Sequence, residues 1–121
     1  MTIKELMIES HQTAVEKGFW TDQIYEIGKP NIVVAEQPKN RNDGELIALM
    51  HSELSEALEA LRHNNPPSEH VPEFTSVEEE MADLAIRLGD FCEARAIRLE
   101  EAIKAKMKFN KTRPYKHDKH F

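Results

Sequence analysis

Two acidic pairs stand out in this 121-residue sequence, Glu53-Leu54-Ser55-Glu56 and Glu80-Met81-Ala82-Asp83. An i, i+3 spacing puts both carboxylates of a pair on one face of a helix, so two such helices packed together would present four carboxylates to a shared centre. Hard divalent cations such as Mg²⁺ and Mn²⁺ take oxygen ligands of this kind. Acidic i, i+3 pairs are also common on solvated helix faces, and position decides between the two readings. At about 100° per residue, Glu53 falls beside Ala57 and between Leu46 and Ala60, at the margin of an apolar stripe. Glu80 lies on the shoulder of the arc that contains Phe91. Carboxylates at a helix seam are costly unless they are paired or metal-bound.

The elements that must carry these pairs are helical. Thr2 with Glu5 reads as a capping box, and Ile3, Leu6, Met7, Ser10, Ala14 and Val15 recur at helical spacing until Gly18, which predicts a helix over 3–17. From 19 to 43 the periodicity dissolves into turn chemistry, with Gly28-Lys29-Pro30, Pro38 and Asn40-Arg41-Asn42-Asp43-Gly44. This stretch reads as one long loop, and its length implies a role. Leu46, Met50, Leu54, Ala57, Leu58 and Leu61 predict a second helix from 44 to 63, ended by Asn64-Asn65-Pro66-Pro67. Ser76 with Glu79 reads as another capping box, opening a third helix to about residue 95, and a fourth is expected over 99–110 before Pro114. The expected class is all-α: one domain over 1–121, about four helices, with strand content near zero.

Composition narrows the setting. No stretch approaches the ~20 apolar residues of a membrane span, and the first residues lack the apolar run of a signal peptide, so a cytoplasmic location with no membrane partner is expected. The lone Cys92 forbids an intrachain disulfide and reads as a small core residue in a reducing compartment. Charge is divided: residues 104–121 hold seven Lys/Arg against one acid, while the rest holds 9 against 21. An acidic body with a basic end disfavours nonspecific nucleic-acid binding, which wants a broad basic face, and suits a metal-bound polyanion.

Glu53-x-x-Glu56, a spacer of 23 residues and Glu80-x-x-Asp83 on consecutive helices resemble the signature of the MazG-like all-α nucleoside triphosphate pyrophosphohydrolases: E-E-x-x-E, a variable spacer, then E-x-x-D. The small single-domain bacterial and phage members look closest. The segment Lys106-Met107-Lys108-Phe109-Asn110-Lys111-Thr112-Arg113-Pro114-Tyr115-Lys116-His117 looks like that family's C-terminal part, so the resemblance runs from about Gly44 to the C-terminus. Two positions depart from the pattern. Ser52 stands where the family has the first acid of its leading pair, and Ala94-Arg95-Ala96-Ile97 stands where many relatives turn with a glycine.

The resemblance implies Mg²⁺-dependent cleavage of a (deoxy)nucleoside triphosphate to the monophosphate and pyrophosphate, in control or cleansing of nucleotide pools, with Mn²⁺ as a substitute metal. Glu53, Glu56, Glu80 and Asp83 would be the catalytic metal ligands; spacing leaves open which of the four takes the water's proton, and Glu53, the most embedded, is the first candidate. A triphosphate needs further cations, for which Lys106, Asn110, Lys111 and Arg113 in the C-terminal segment are the candidates. Some dCTP-preferring relatives place a His and a Trp at the nine-residue offset of His11 and Trp20; these two, with Tyr115, are candidates for the base site. Family members are dimers or tetramers, and with only 7% aromatics, four short helices make a thin core unless apolar stripes meet between chains. A homodimer or homotetramer is therefore expected. Two rivals carry no catalysis: a helical protein-interaction module whose acidic seams pair with a basic helix, and a nucleic-acid binder using the basic tail of residues 111–121. Neither needs paired carboxylates on two helices.

Overall fold

A computed structural model describes residues 1–121. The chain runs α1 (Ile3–Glu16), β1 (Thr21–Glu26), β2 (Lys29–Pro38), α2 (Asp43–Arg62), α3 (Ser76–Ala94), α4 (Leu99–Asn110) and a short 3-10 turn, Tyr115–Asp118. The all-α expectation is corrected: residues 19–43 are not one loop but carry an antiparallel hairpin of β1 and β2, so the fold is mixed, four helices with a two-stranded sheet. Thr21 pairs with Pro38 and Ile24 with Ala35, then a bulge shifts the register so that Tyr25 faces Val33. A two-residue connection, Ile27-Gly28, joins the strands, with Gly28 at φ 75° as such a turn requires. β-Branched Ile24, Ile32, Val33 and Val34 favour extended chain, but neither strand buries a face, so no period-two alternation marks them.

α1, α2 and α3 begin where a side chain satisfies one of their free N–H groups. Thr2 and Glu5 form the expected capping box. The box on α3 lies one residue earlier than the spacing predicts: Thr75 caps and Glu78 reciprocates. Glu79 is thereby free to accept from Ser68 Oγ at 2.6 Å and to meet His70 Nδ1 at 2.5 Å, which pins the loop between α2 and α3.

Three helices end in the same way, with two backbone bonds closing over a residue in the left-handed region. After α1 that residue is Gly18 (φ 86°), after α2 Asn64 (φ 64°) and after α3 Ala96 (φ 53°). At the last, the Ile97 N–H donates to Cys92 O at 2.9 Å and Ala96 N–H to Glu93 O at 3.3 Å. Glycine has no Cβ to clash there and asparagine tolerates the conformation, whereas alanine is strained.

α3 lies between α1 and α2 and packs on both, while α4 meets the start of α1 through Lys4, whose N–H reaches Glu100 and whose Nζ lies 3.7 Å from Glu101. Gly89 permits the close approach of α3 to α1, since a Cβ there would meet Leu6 O and Ser10 Oγ at 3.2 Å. The buried apolar side chains are only Met7, Leu46, Ala57 and Cys92. No helix is long and apolar enough to cross a membrane.

Ala96→Gly relieves the left-handed strain and is expected to raise unfolding free energy by about 0.5–1 kcal/mol, the strain relief exceeding the added entropy of the unfolded chain. Urea denaturation measures it; a loss of stability would mean that residue 96 is not held in that conformation.

Candidate functional site

α1 presents Ser10, Thr13 and Ala14 at i, i+3 and i+4, and its C-cap residue Lys17 beyond them, to a cleft of about 470 Å³. α2 contributes Leu49 and Glu53 to its wall, and α3 contributes Asp83, Ile86, Arg87 and Asp90. Phe19 and Arg41, from the two chain segments flanking the hairpin, complete the rim. The cleft therefore has acids on the α2–α3 side, three cations (Lys17, Arg41, Arg87) and a short apolar wall.

Glu53, Glu80 and Asp83 each bring a carboxylate oxygen within 4.8 Å of the others. Glu53 is 5% exposed, and Arg87 Nε donates to its Oε1 at 2.7 Å. Burial pushes the Glu53 carboxyl up, but bonding to Arg87 and to the neighbouring Glu80 and Glu56 outweighs it and leaves Glu53 below its ordinary value. Glu80 goes the other way: burial, with Glu53 and Glu56 beside it, pushes it up to about 8, and its Oε2 is buried with no hydrogen-bond partner. Asp83 is raised by burial and by the Glu53 charge. Glu56 sits at the exposed edge of the group, near enough to act on both other glutamates. A crowd of hard oxygens with an orphaned buried atom and one guanidinium for relief fits a divalent cation, and Glu53, Glu80 and Asp83, with Glu56 at the edge, would hold it.

Asp90 organises the rim. Its Oδ1 accepts from Trp20 Nε1 at 2.9 Å and lies 2.8 Å from His11 Nδ1, while the His11 and Trp20 rings meet edge-on with centroids 5.4 Å apart. The Arg41 and Arg95 guanidiniums stand 4.9 and 5.5 Å from the Trp20 ring centroid. Arg95 also donates to Asp43 Oδ1 and Arg41 O, tying the end of α3 to the start of α2. His11 and Trp20 are thus brought together beside the cleft, with the indole engaged as a strut. Tyr115 is not brought there: it is 88% exposed in the C-terminal segment.

Lys106, Asn110, Lys111 and Arg113 are likewise absent from the cleft wall. Lys106 Nζ and the Arg113 guanidinium flank the Phe109 ring, at 4.7 and 5.8 Å, and Arg113 lines a separate hollow with Lys116, His117 and Lys119. The cations nearest the acids are ones the motif reading passed over, although a signal existed. Glu80, Asp83, Arg87 and Asp90 stand at i, i+3, i+7 and i+10, one face of α3. Ser10, Thr13 and Ala14 follow the same rule on α1, with Lys17 at its C-cap.

Comparison with known protein families, with curated proteins and with solved structures gives no match for this chain.

Because Glu80 holds its proton more tightly in the folded chain than at its ordinary value of 4.5, the metal-free protein is expected to lose stability as pH rises from 4.5 to about 8. The raised Asp83 adds in the same direction. The lowered Glu53 acts oppositely, but its contribution is lost only as pH falls below this window. In chelator-treated protein, thermal melts should fall by several degrees across the window and be flatter in Glu80→Gln. An equal slope in that variant would show that Glu80 is not the group titrating.

Proposed function

We propose that the cleft binds a divalent cation and hydrolyses a (deoxy)nucleoside triphosphate to the monophosphate and pyrophosphate, the activity that the resemblance to MazG-like pyrophosphohydrolases implies. The observation that carries this reading is the convergence of Glu53, Glu80 and Asp83 from two helices onto one point, with a buried Glu80 oxygen left unpartnered. Mg²⁺ or Mn²⁺, when bound, supplies Lewis-acid polarisation of a phosphoryl oxygen and lowers the pKa of water.

The chain's own residues supply the rest. Glu53, kept ionised by Arg87, is the carboxylate suited to accept a proton from water at neutral pH. As the water oxygen bonds to the α-phosphorus, the α–β anhydride bond breaks and pyrophosphate leaves with its electron pair. Negative charge grows on that leaving group, and Arg87, Lys17 and Arg41 are the cations on the cleft wall that can meet it. Arg87 engages Glu53 through Nε alone, so the other N–H groups of its fork remain to bind phosphate. Phe19, Leu49 and Ile86 offer the apolar wall against which a base can lie.

Purified protein incubated with Mg²⁺ and a panel of NTPs and dNTPs, its products resolved by ion exchange, tests this. Monophosphate plus pyrophosphate is expected, with loss of roughly 100-fold or more in Glu53→Gln, Glu80→Gln. Arg87→Gln should lower kcat/KM by about 10- to 100-fold while Mn²⁺ still binds by calorimetry, and Arg87→Lys should recover part of it. Absence of both turnover and Mn²⁺ binding would discard the reading in favour of a noncatalytic interaction module.

A further inference from the structure

Asp90 has two carboxylate oxygens, and the rim engages only one of them. Oδ1 takes both neighbouring donors, Trp20 Nε1 at 2.9 Å and His11 Nδ1 at 2.8 Å. An ionised carboxylate only accepts, so His11 carries its proton on Nδ1 in this contact. Oδ2 makes no hydrogen bond and no ion pair. Nor is it sealed off, since the buried side-chain atoms without a partner are Glu80 Oε2 and Asn110 Oδ1. Arg41 and Arg95 turn their guanidiniums to the Trp20 ring and pair with neither oxygen of Asp90. The carboxylate is thus 13% exposed, fixed in place by two donors, and lines the cleft with one free acceptor.

The apolar wall of the cleft borders that acceptor. Ile86 lies one turn before Asp90 on α3, and Phe19 precedes Trp20 in the chain. Asp83 stands seven residues before Asp90 on the same face, about 10 Å along the helix axis. A nucleotide spans a comparable distance from its α-phosphorus to the far edge of its base. A phosphate held at the acids, with the base lying on Phe19 and Ile86, therefore brings that edge to Asp90.

We propose, on the nucleotide reading of the cleft, that Asp90 selects cytosine or adenine, whose exocyclic amino group donates to the free Oδ2. The resemblance offers His11 and Trp20 to the base; here Trp20 Nε1 and His11 Nδ1 are both engaged by Asp90, and the acceptor left free belongs to the carboxylate. Cytosine and adenine carry an amino group where uracil and hypoxanthine carry a carbonyl oxygen. The amino N–H meets the anion in a charge-assisted hydrogen bond. A carbonyl oxygen there sets lone pairs against the anion and leaves two acceptors without a donor, a mismatch that polar sites reject strongly. The ring N–H of uracil or hypoxanthine is no substitute, because it adjoins a carbonyl oxygen that would come up beside the same carboxylate.

Asp90→Asn makes the opposite requirement. Trp20 and His11 both donate, so they keep the amide oxygen at the Oδ1 position, and the amide NH₂ falls where Oδ2 was. A donor at that point favours the carbonyl base.

Initial rates with Mg²⁺ on dCTP against dUTP and on dATP against dITP, with titrations of the four corresponding monophosphates followed by fluorescence of Trp20, the single tryptophan, form the test. In the wild type the amino member of each pair should be favoured by at least roughly 100-fold in kcat/KM, and its monophosphate should bind more tightly. In Asp90→Asn both preferences should reverse, with helicity by circular dichroism unchanged. Equal turnover of the two members by the wild type overturns the proposal and leaves nucleotide hydrolysis standing. So does an Asp90→Asn variant in which both members fall alike, as they would if the carboxylate only braced Trp20 and His11. If no triphosphate is cleaved, hydrolysis fails and the monophosphate titrations decide: tighter binding of the amino members, reversed in Asp90→Asn, upholds the role of Asp90, whereas no preference or no binding overturns it.

Discussion

A carboxylate that is 5% exposed must be compensated, and the meeting of α2 with α3 follows from compensating Glu53. Arg87 does this from α3 at 2.7 Å. The same seam then carries Glu80 and Asp83, so a position that an ordinary helix pair would fill with leucine is filled with charge. One consequence is the short roster of buried apolar side chains. Another is that α3 must be placed accurately, which the Thr75–Glu78 capping box and the Ser68–Glu79–His70 clasp accomplish at its first turn and the close approach at Gly89 in its C-terminal half.

The unequal treatment of neighbouring carboxyls is a direct product of this packing. Glu53 has a guanidinium and is held below its ordinary value; Glu80 has burial and like charge and is held far above. Their places in the sequence do not explain this, since each opens an i, i+3 acidic pair on its own helix, Glu53 on α2 and Glu80 on α3. Proximity to Arg87 separates them. The cleft opposite is lined by cations from α1, α3 and the rim, which gives it an acidic wall facing basic ones, a polarity suited to a metal-bound polyanion. The more strongly basic C-terminal segment instead gathers its own charges around Phe109 and Tyr115.

A charged seam also bears on the outer surface. Apolar area that does not contribute to the seam of this chain lies along α2 and on the hairpin, outside the body. The hairpin links that outer surface to the cleft through Trp20, whose N–H, edge and ring are all engaged, by Asp90, His11 and two guanidiniums.

The sequence by itself determined the four helices, because a 3.6-residue period, capping residues and stop signals are local. Gly18 and Asn64-Asn65 end α1 and α2 where their backbone preferences say they should, and the i, i+3 acids fall on adjoining faces of α2 and α3 as spacing requires. Only the tertiary structure decided the rest. The hairpin depends on pairing across a turn and buries no face, so it leaves no alternation to read. That Thr75 and not Ser76 is the cap, with Glu79 left to Ser68 and His70, depends on contacts with the preceding loop that spacing along the chain does not show. The identity of the cations beside the acids depends on which helix packs against which: α3 sits between α1 and α2, bringing Lys17 and Arg87 to the cleft, while α4 leans on the far end of α1 and carries Lys106 and Arg113 elsewhere. Charge and spacing along a chain are local quantities; which charges share a cleft is a property of packing.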